Sequence, residues 1–337
     1  METLNATLLI KNARQNLEGR DARRMAAFHT GVAIAMALVT TVLQYVLQEG
    51  MGNTSGLAGI GTRSMLETIQ TVLHYANMIL SPFWSLGFLY AALLWAKGEY
   101  SRKEELLKGF QRFGPYLGLM VNRAVLVFAV AFLAMNLGSI VFMLTPAAAE
   151  LTEMATAAGG DAIALMEMLE QMSMEETMAL TTSMIPAVVI WVVLCAALLI
   201  PLMYRFRFAE YVILENKGIR GMGAMILSAA LLRRRCWQLF RLDLKFWWYY
   251  GLKILCMVLC YLDMLLSALG VTLPVGGEMA YMGSYLLYLA ALFCVEVAFR
   301  PQVDTSYALA YETLKEMTPV QKVEPTKPVK MPWDVSE

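Results

Sequence analysis

Charge is scarce in this sequence. Asp, Glu, Lys and Arg make up 16% of its 337 residues and hydrophobic types 58%, whereas soluble domains run nearer a quarter charged. That shortage excludes an ordinary soluble globular chain and makes a polytopic membrane protein the expected class. Histidine is rarer still: His29 and His74 are the only two. Neither belongs to a paired-histidine zinc motif, and each suits packing better than chemistry. The five cysteines (Cys195, Cys236, Cys256, Cys260 and Cys294) fall outside the predicted outer loops, so a disulfide framework is not expected. Cys256 and Cys260 share a helix face, but two thiols without further ligands make a poor metal site. The sequence also lacks a phosphate-binding loop and a serine nucleophile elbow. Gly56, Gly59 and Gly61 follow no strand, so they form no dinucleotide fingerprint. No cofactor or metal is expected.

Long apolar runs are present instead. Spans are expected at 25–47, 72–96, 116–144, 185–204, 246–269 and 281–299, each near the ~20 residues that cross a ~30 Å hydrocarbon core. The expected fold is therefore all-α, with six transmembrane helices and amphipathic helices at the interface. Residues 1–24 form a polar, basic leading segment with a short surface helix, and 25–300 form the six-helix domain. The first apolar run is long and has no cleavage site, so it is expected to be a retained span. A Gly-rich outer connection follows it, and Pro82 is expected to kink the second span. In the tail, 301–337, a short helix is expected near Asp304–Glu316. After about 318, Pro319, Pro325, Pro328 and Pro332 predict disorder.

The largest outer region, 145–183, carries seven acidic residues and no Lys or Arg. Asp161 suits the N-cap of a helix reaching about Thr177, with Leu165, Met166, Leu169 and Met172 on one face. Met166, Met168, Met172, Met174 and Met178 offer thioethers of the kind that bind Cu(I). Met is frequent in the spans too, 25 residues in all, and apolar filler is the better account.

Charge sets the expected orientation. With six spans and the N-terminus inside, 24 of the 27 Lys and Arg residues fall on inner segments and only Arg63 falls outside, while the outer segments carry ten acidic residues. The positive-inside rule predicts this split. A multi-pass membrane protein with both termini on the inner side is expected.

Ionisable groups inside spans are functional candidates because they are expensive there unless paired or wet. Arg123 lies close enough to the inner boundary to snorkel. Lys253 and Glu296 fall at similar depth in spans five and six, so a pair is expected. His74, Asn77 and Asp263 form a candidate outer polar cluster if spans two and five are neighbours. The inner segment 205–245 holds nine Lys and Arg residues. Residues near Ile219–Phe240 read as one amphipathic helix along the membrane surface, with Met222, Met225, Ile226 and Ala229 on its apolar side. Arg233, Arg234, Arg235, Trp237, Phe240, Arg241, Trp247 and Trp248 are its candidate lipid or partner surface. Anionic headgroups are the nearer partner than nucleic acid, each Lys or Arg at the surface contributing ~1 kcal/mol.

Tyr204, Tyr211 and Glu215 leave span four; Ser228 and Leu231 lie on the amphipathic stretch; Trp237, Phe240, Leu242-Asp243 and Phe246-Trp247 follow. Lys97-Gly98, Leu106-Leu107, Gly109-Phe110 and Phe113-Gly114 come after span two, and Tyr307 and Tyr311-Glu312-Thr313-Leu314 after span six. In these residues the chain resembles the bacterial integral membrane family labelled domain of unknown function nine-seven-five. Arg233-Arg234-Arg235 stands where many relatives carry a Lys-Gly turn, and Pro301-Gln302 where a Pro-Tyr pair is usual. The resemblance implies a multi-span protein of the bacterial cytoplasmic membrane, with both termini cytoplasmic on the charge reading above, and supplies no catalytic residue. Two functions follow: a non-enzymatic accessory or assembly protein binding lipid or a membrane-protein partner at its inner face, or a transporter or permease subunit using Lys253, Glu296 and Asp263.

Overall fold

The computed structural model describes residues 4–52, 57–159, 172–268 and 277–318, together with 161, 163 and 166. Every regular element among them is helical. Five stretches are long and apolar enough to cross a bilayer: Ala22–Leu43, Tyr75–Ala96, Phe113–Phe142, Thr177–Glu215 and Met282–Met317. The chain is an all-α, multi-pass membrane protein.

It divides into two compact units, residues 1–117 with 208–337 and residues 118–207. In the first, α1 (Ala6–Leu17) begins at Asn5, whose side chain accepts from the Thr7 and Leu8 amides, two donors that the helix itself leaves unpaired. Then come α2 (Ala22–Gly52) and α3 (Leu57–Ala96), so the Gly-rich stretch is helical on both sides of 53–56. A 3-10 turn (Lys103–Leu107) and α4 (Lys108–Gln111) fold back along α3. Two glycines permit that approach: a Cβ on Gly87 would fall onto the Leu106 carbonyl, and one on Gly109 onto the Phe83 carbonyl. Phe83 then stacks on Phe113 with ring centroids 4.6 Å apart, where α5 (Phe113–Phe142) starts.

The second unit holds most of α5, then α6 (Pro146–Ala157) and α7 (Met174–Arg205). Gly138 of α5 lies against the Trp191 side chain of α7. Arg123 donates from Nη2 to the Phe206 carbonyl at 2.7 Å, a backbone partner that serves a cation near a span end. Of the helix expected at 161–177, residues 162, 164, 165 and 167–171 lie outside the described residues, 172 and 173 are not helical, and 174–177 belong to α7; Asp161 Oδ1 accepts from the Ile163 amide at 2.9 Å.

Back in the first unit, α8 (Ala209–Glu215), α9 (Gly221–Leu231) and α10 (Cys236–Lys245) form a layer of short helices. The single amphipathic helix expected over 219–240 is therefore two helices. Leu232–Arg235 breaks it, and Arg234 has φ +67°, a left-handed conformation that favours glycine and ends helices. The buried side of α9 is Ala224, Met225, Ser228 and Leu231, whereas Met222 and Ile226 are exposed, so Met225 leaves the expected apolar face for the core.

The segment expected as span five is α11 (Trp247–Leu259) followed by α12 (Leu262–Ala268). They part at Cys260-Tyr261, whose amides bond the Met257 and Val258 carbonyls. Finally, α13 (Gly277–Met317) joins span six and the expected tail helix into one rod of 41 residues, about 60 Å long at ~1.5 Å per residue. It continues through Pro301, and Arg300 beside it pairs with Glu296 and Asp304, each one turn from Arg300. Residues 319–337 lie outside the described residues.

α13 contacts α1, α2, α3 and α11, and burial reverses along it. Leu286 and Leu287 are half exposed, as residues facing lipid would be, whereas Val303, Ala308, Tyr311 and Leu314 are buried by protein. A rod twice the hydrocarbon thickness must leave the bilayer. Its second half supplies the core of the short-helix layer.

Candidate functional site in a charge belt and a layer of short helices

The reversal point on α13 is marked by charge. Glu296 is buried, with Lys253 Nζ of α11 2.8 Å from its Oε1 and Arg300 Nη1 3.5 Å from its Oε2. The Tyr249 hydroxyl donates to Oε1 at 3.1 Å. Arg300 also reaches Asp304 Oδ2 at 3.2 Å and His29 Nδ1 at 3.3 Å, and its guanidinium lies 4.6 Å from the Phe88 ring centre. His29 is fixed from its other side: Nε2 lies 3.2 Å from the Trp84 carbonyl, the rings stack 5.3 Å apart, and Trp84 Nε1 donates to the His29 carbonyl. Two cations and two carboxylates thus close on one another across α2, α3, α11 and α13. Formal charge balances, and each buried ion has a hydrogen-bonding partner, as low dielectric requires.

The structure brings Lys253 and Glu296 together. Arg300, Asp304, His29 and Tyr249 are partners that the sequence reading left out. The Glu296, Arg300, Asp304 spacing of four was the available signal, since such residues share a helix face.

A second cluster ties the layer to the long helices. Glu215 Oε1 accepts from Lys97 at 2.7 Å and Lys315 at 2.6 Å, and its Oε2 accepts from the Tyr311 hydroxyl at 2.9 Å. Lys97 also pairs with Glu312 at 3.3 Å. Burial alone would lower the Lys97 ammonium, but Glu215 and Glu312 outweigh it and hold the group above its ordinary value. Tyr211 stacks on Tyr311 with centroids 5.4 Å apart. Ser228 Oγ, fully buried, accepts from the Phe208 amide. The Tyr307 hydroxyl donates to Asp243 and meets the Tyr250 hydroxyl at 3.1 Å. Of the motif residues, Lys97, Tyr211, Glu215, Ser228, Asp243, Tyr307, Tyr311 and Glu312 therefore meet in one helical core. Their role there is to hold it.

The expected lipid or partner surface divides. Trp237 and Trp247 are 62% and 70% exposed, and Trp237 stacks on Phe240 at 5.1 Å with Arg241 6.0 Å from its ring centre. Arg233, Arg234 and Arg241 are exposed, whereas Arg235 turns in to the Thr318 hydroxyl at 3.3 Å. Trp248 turns in too, edge-on to Phe299 at 4.7 Å. Of the candidate outer cluster, Asn77 is half-buried on α3, and the side chains of His74 and Asp263 lie outside the described residues. Among the described residues no group of three or more His, Cys, Asp or Glu could hold a metal.

Fold and site together define a multi-pass helical membrane protein with a closed charge belt and a polar-stapled layer of short helices. Comparison with protein-family models, curated proteins and solved structures finds no match. The family resemblance rests on the residues quoted for it.

Proposed function

We propose that the protein is a non-enzymatic accessory or assembly factor of a bacterial cytoplasmic membrane, working through a short-helix layer that lies along the anionic inner surface. One observation carries this reading. Met222, Ile226, Trp237, Leu244 and Trp247 are exposed on α9–α11, beside exposed Arg233, Arg234 and Arg241. In water such a face would be a costly apolar patch. At a bilayer surface its apolar groups enter the acyl boundary while the guanidinium groups meet phosphates. The gathering of 24 of the 27 Lys and Arg residues on the segments that carry both ends and this layer supports an inner location for them. Membership of the nine-seven-five family belongs to the same proposal.

The transport reading gains less support. A transport path needs an intramembrane charge free to meet its substrate. Glu296 already holds two cations and a tyrosine hydroxyl, and Arg300 is shared between two carboxylates.

Replacing Arg233, Arg234 and Arg241 with Gln is expected to lower retained anionic phospholipid about tenfold, read by mass spectrometry of lipids bound to the purified protein, with helix content unchanged. Unchanged lipid retention, with loss of a stoichiometric protein partner, would overturn the lipid reading and make the face a partner site.

A further inference from the structure

A cavity of about 600 Å³ opens between the α1–α2 joint and the Ala298–Gln302 stretch of α13. Arg14, Arg20, Arg23 and Arg24 line it, against two carboxylates, Glu18 and Asp21, so its walls carry an excess of positive charge. Arg20 is fixed, donating to the Trp95 carbonyl at 2.9 Å and the Gly98 carbonyl at 2.7 Å. Arg24 pairs with Asp21 at 3.3 Å, both groups being highly exposed, an arrangement that contributes little and is easily exchanged for a better anion. Arg14 and Arg23 are exposed and have no carboxylate partner among the described residues.

The cavity's depth identifies what would fill it. Its α13 wall begins at Ala298-Phe299, where α13 passes from its half-exposed apolar portion to its protein-covered one. Phe299 is met edge-on by Trp248, and the neighbouring Trp247 is 70% exposed. Exposed Trp at a span end marks headgroup level. Just before this wall on α13 lies Glu296, paired with Lys253 of α11. A soluble anion site has no reason to sit at that level with an apolar wall. A phospholipid supplies both parts, a phosphate for the arginines and an acyl chain for the apolar side.

We propose that this cavity binds the phosphate of an anionic glycerophospholipid, with Arg14, Arg23 and Arg24 as its mobile ligands and Arg20 as its fixed one. The inference rests on the inner-surface placement proposed above, but on different residues from the α9–α11 face.

The test uses the full chain in nanodiscs of phosphatidylcholine with one fifth phosphatidylglycerol, and counts the phosphatidylglycerol retained after delipidation. R14Q/R23Q/R24Q is expected to lower retention about tenfold, and R14K/R23K/R24K to restore most of it. Q302E, which adds a negative charge to the wall and leaves the arginines intact, is expected to lower retention too. Phosphatidylglycerol is expected to raise the unfolding temperature of the wild type, and glycerol phosphate at equal concentration to leave it unchanged. Full retention by R14Q/R23Q/R24Q alongside loss in R233Q/R234Q/R241Q would overturn the cavity and leave the face reading standing. The reverse pattern would support the cavity and count against the face. Equal losses in both variants, with Q302E unaffected, would reduce the effect to general surface charge and overturn the cavity. An equal shift from glycerol phosphate would make it a soluble-anion site and overturn the lipid assignment.

Discussion

Glu296 holds more of the charge belt than Lys253 does, and the asymmetry follows from their surroundings. Glu296 has 7% of its side chain exposed and two cations in reach, while Lys253 is 42% exposed. Glu296→Gln removes the carboxylate shared by Lys253 and Arg300, leaving buried Arg300 with Asp304 alone, and is expected to cost about 3 kcal/mol. Lys253→Met leaves Glu296 with Arg300 and Tyr249 and is expected to cost about 1 kcal/mol or less. The double variant should be no worse than Glu296→Gln alone, because Lys253 has nothing left to lose. Equilibrium unfolding in detergent would measure all three, and equal single costs that simply add would remove the belt as a coupled unit. The pairing itself was legible from matching depths in two apolar runs. The dominant partner was not, because Arg300 stands at the predicted end of span six and reads there as a boundary residue.

At the scale of elements, glycine spacing decides how the 3-10 turn and α4 dock on α3. Gly87→Ala or Gly109→Ala drives a Cβ into a backbone carbonyl that no rotamer change can move, and each is expected to destabilise by about 2–3 kcal/mol. Gly251 of α11 has open space where its Cβ would be, so Gly251→Ala is expected to be neutral or stabilising by up to about 1 kcal/mol. Comparable losses at Gly87 and Gly251 would mean that the close approach is not what holds the turn. Apolar run length and charge placement made the long helices readable. Breaks set by tertiary contact were harder to read. Nothing in the sequence around Cys260-Tyr261, neither Gly nor Pro, announces that helix end. At Arg234 the positive φ is adopted by a residue type that rarely takes it. Conversely, span six and the tail helix, expected as separate elements, are one continuous helix through Pro301.

For the whole molecule, the reversal of burial along α13 links fold to function. Apolar side chains face outward on the half that would meet lipid and inward on the half that organises the short helices, so one rod serves as span and as core. Composition alone disclosed the first role. The second depended on residues far apart in sequence, Lys97, Glu215, Tyr307, Tyr311 and Lys315, which meet only once the helices are assembled. The central claim is that the short-helix layer lies on the inner side of the membrane, opposite the acidic region near α6. Thiol labelling with a membrane-impermeant reagent tests it directly, in a background where Cys195, Cys236, Cys256, Cys260 and Cys294 are replaced. Glu153→Cys on α6 and Lys217→Cys after α8 are both exposed positions. In intact cells Glu153→Cys is expected to label and Lys217→Cys to label only after the membrane is opened; labelling of Lys217→Cys from outside, with Glu153→Cys protected, would contradict the account.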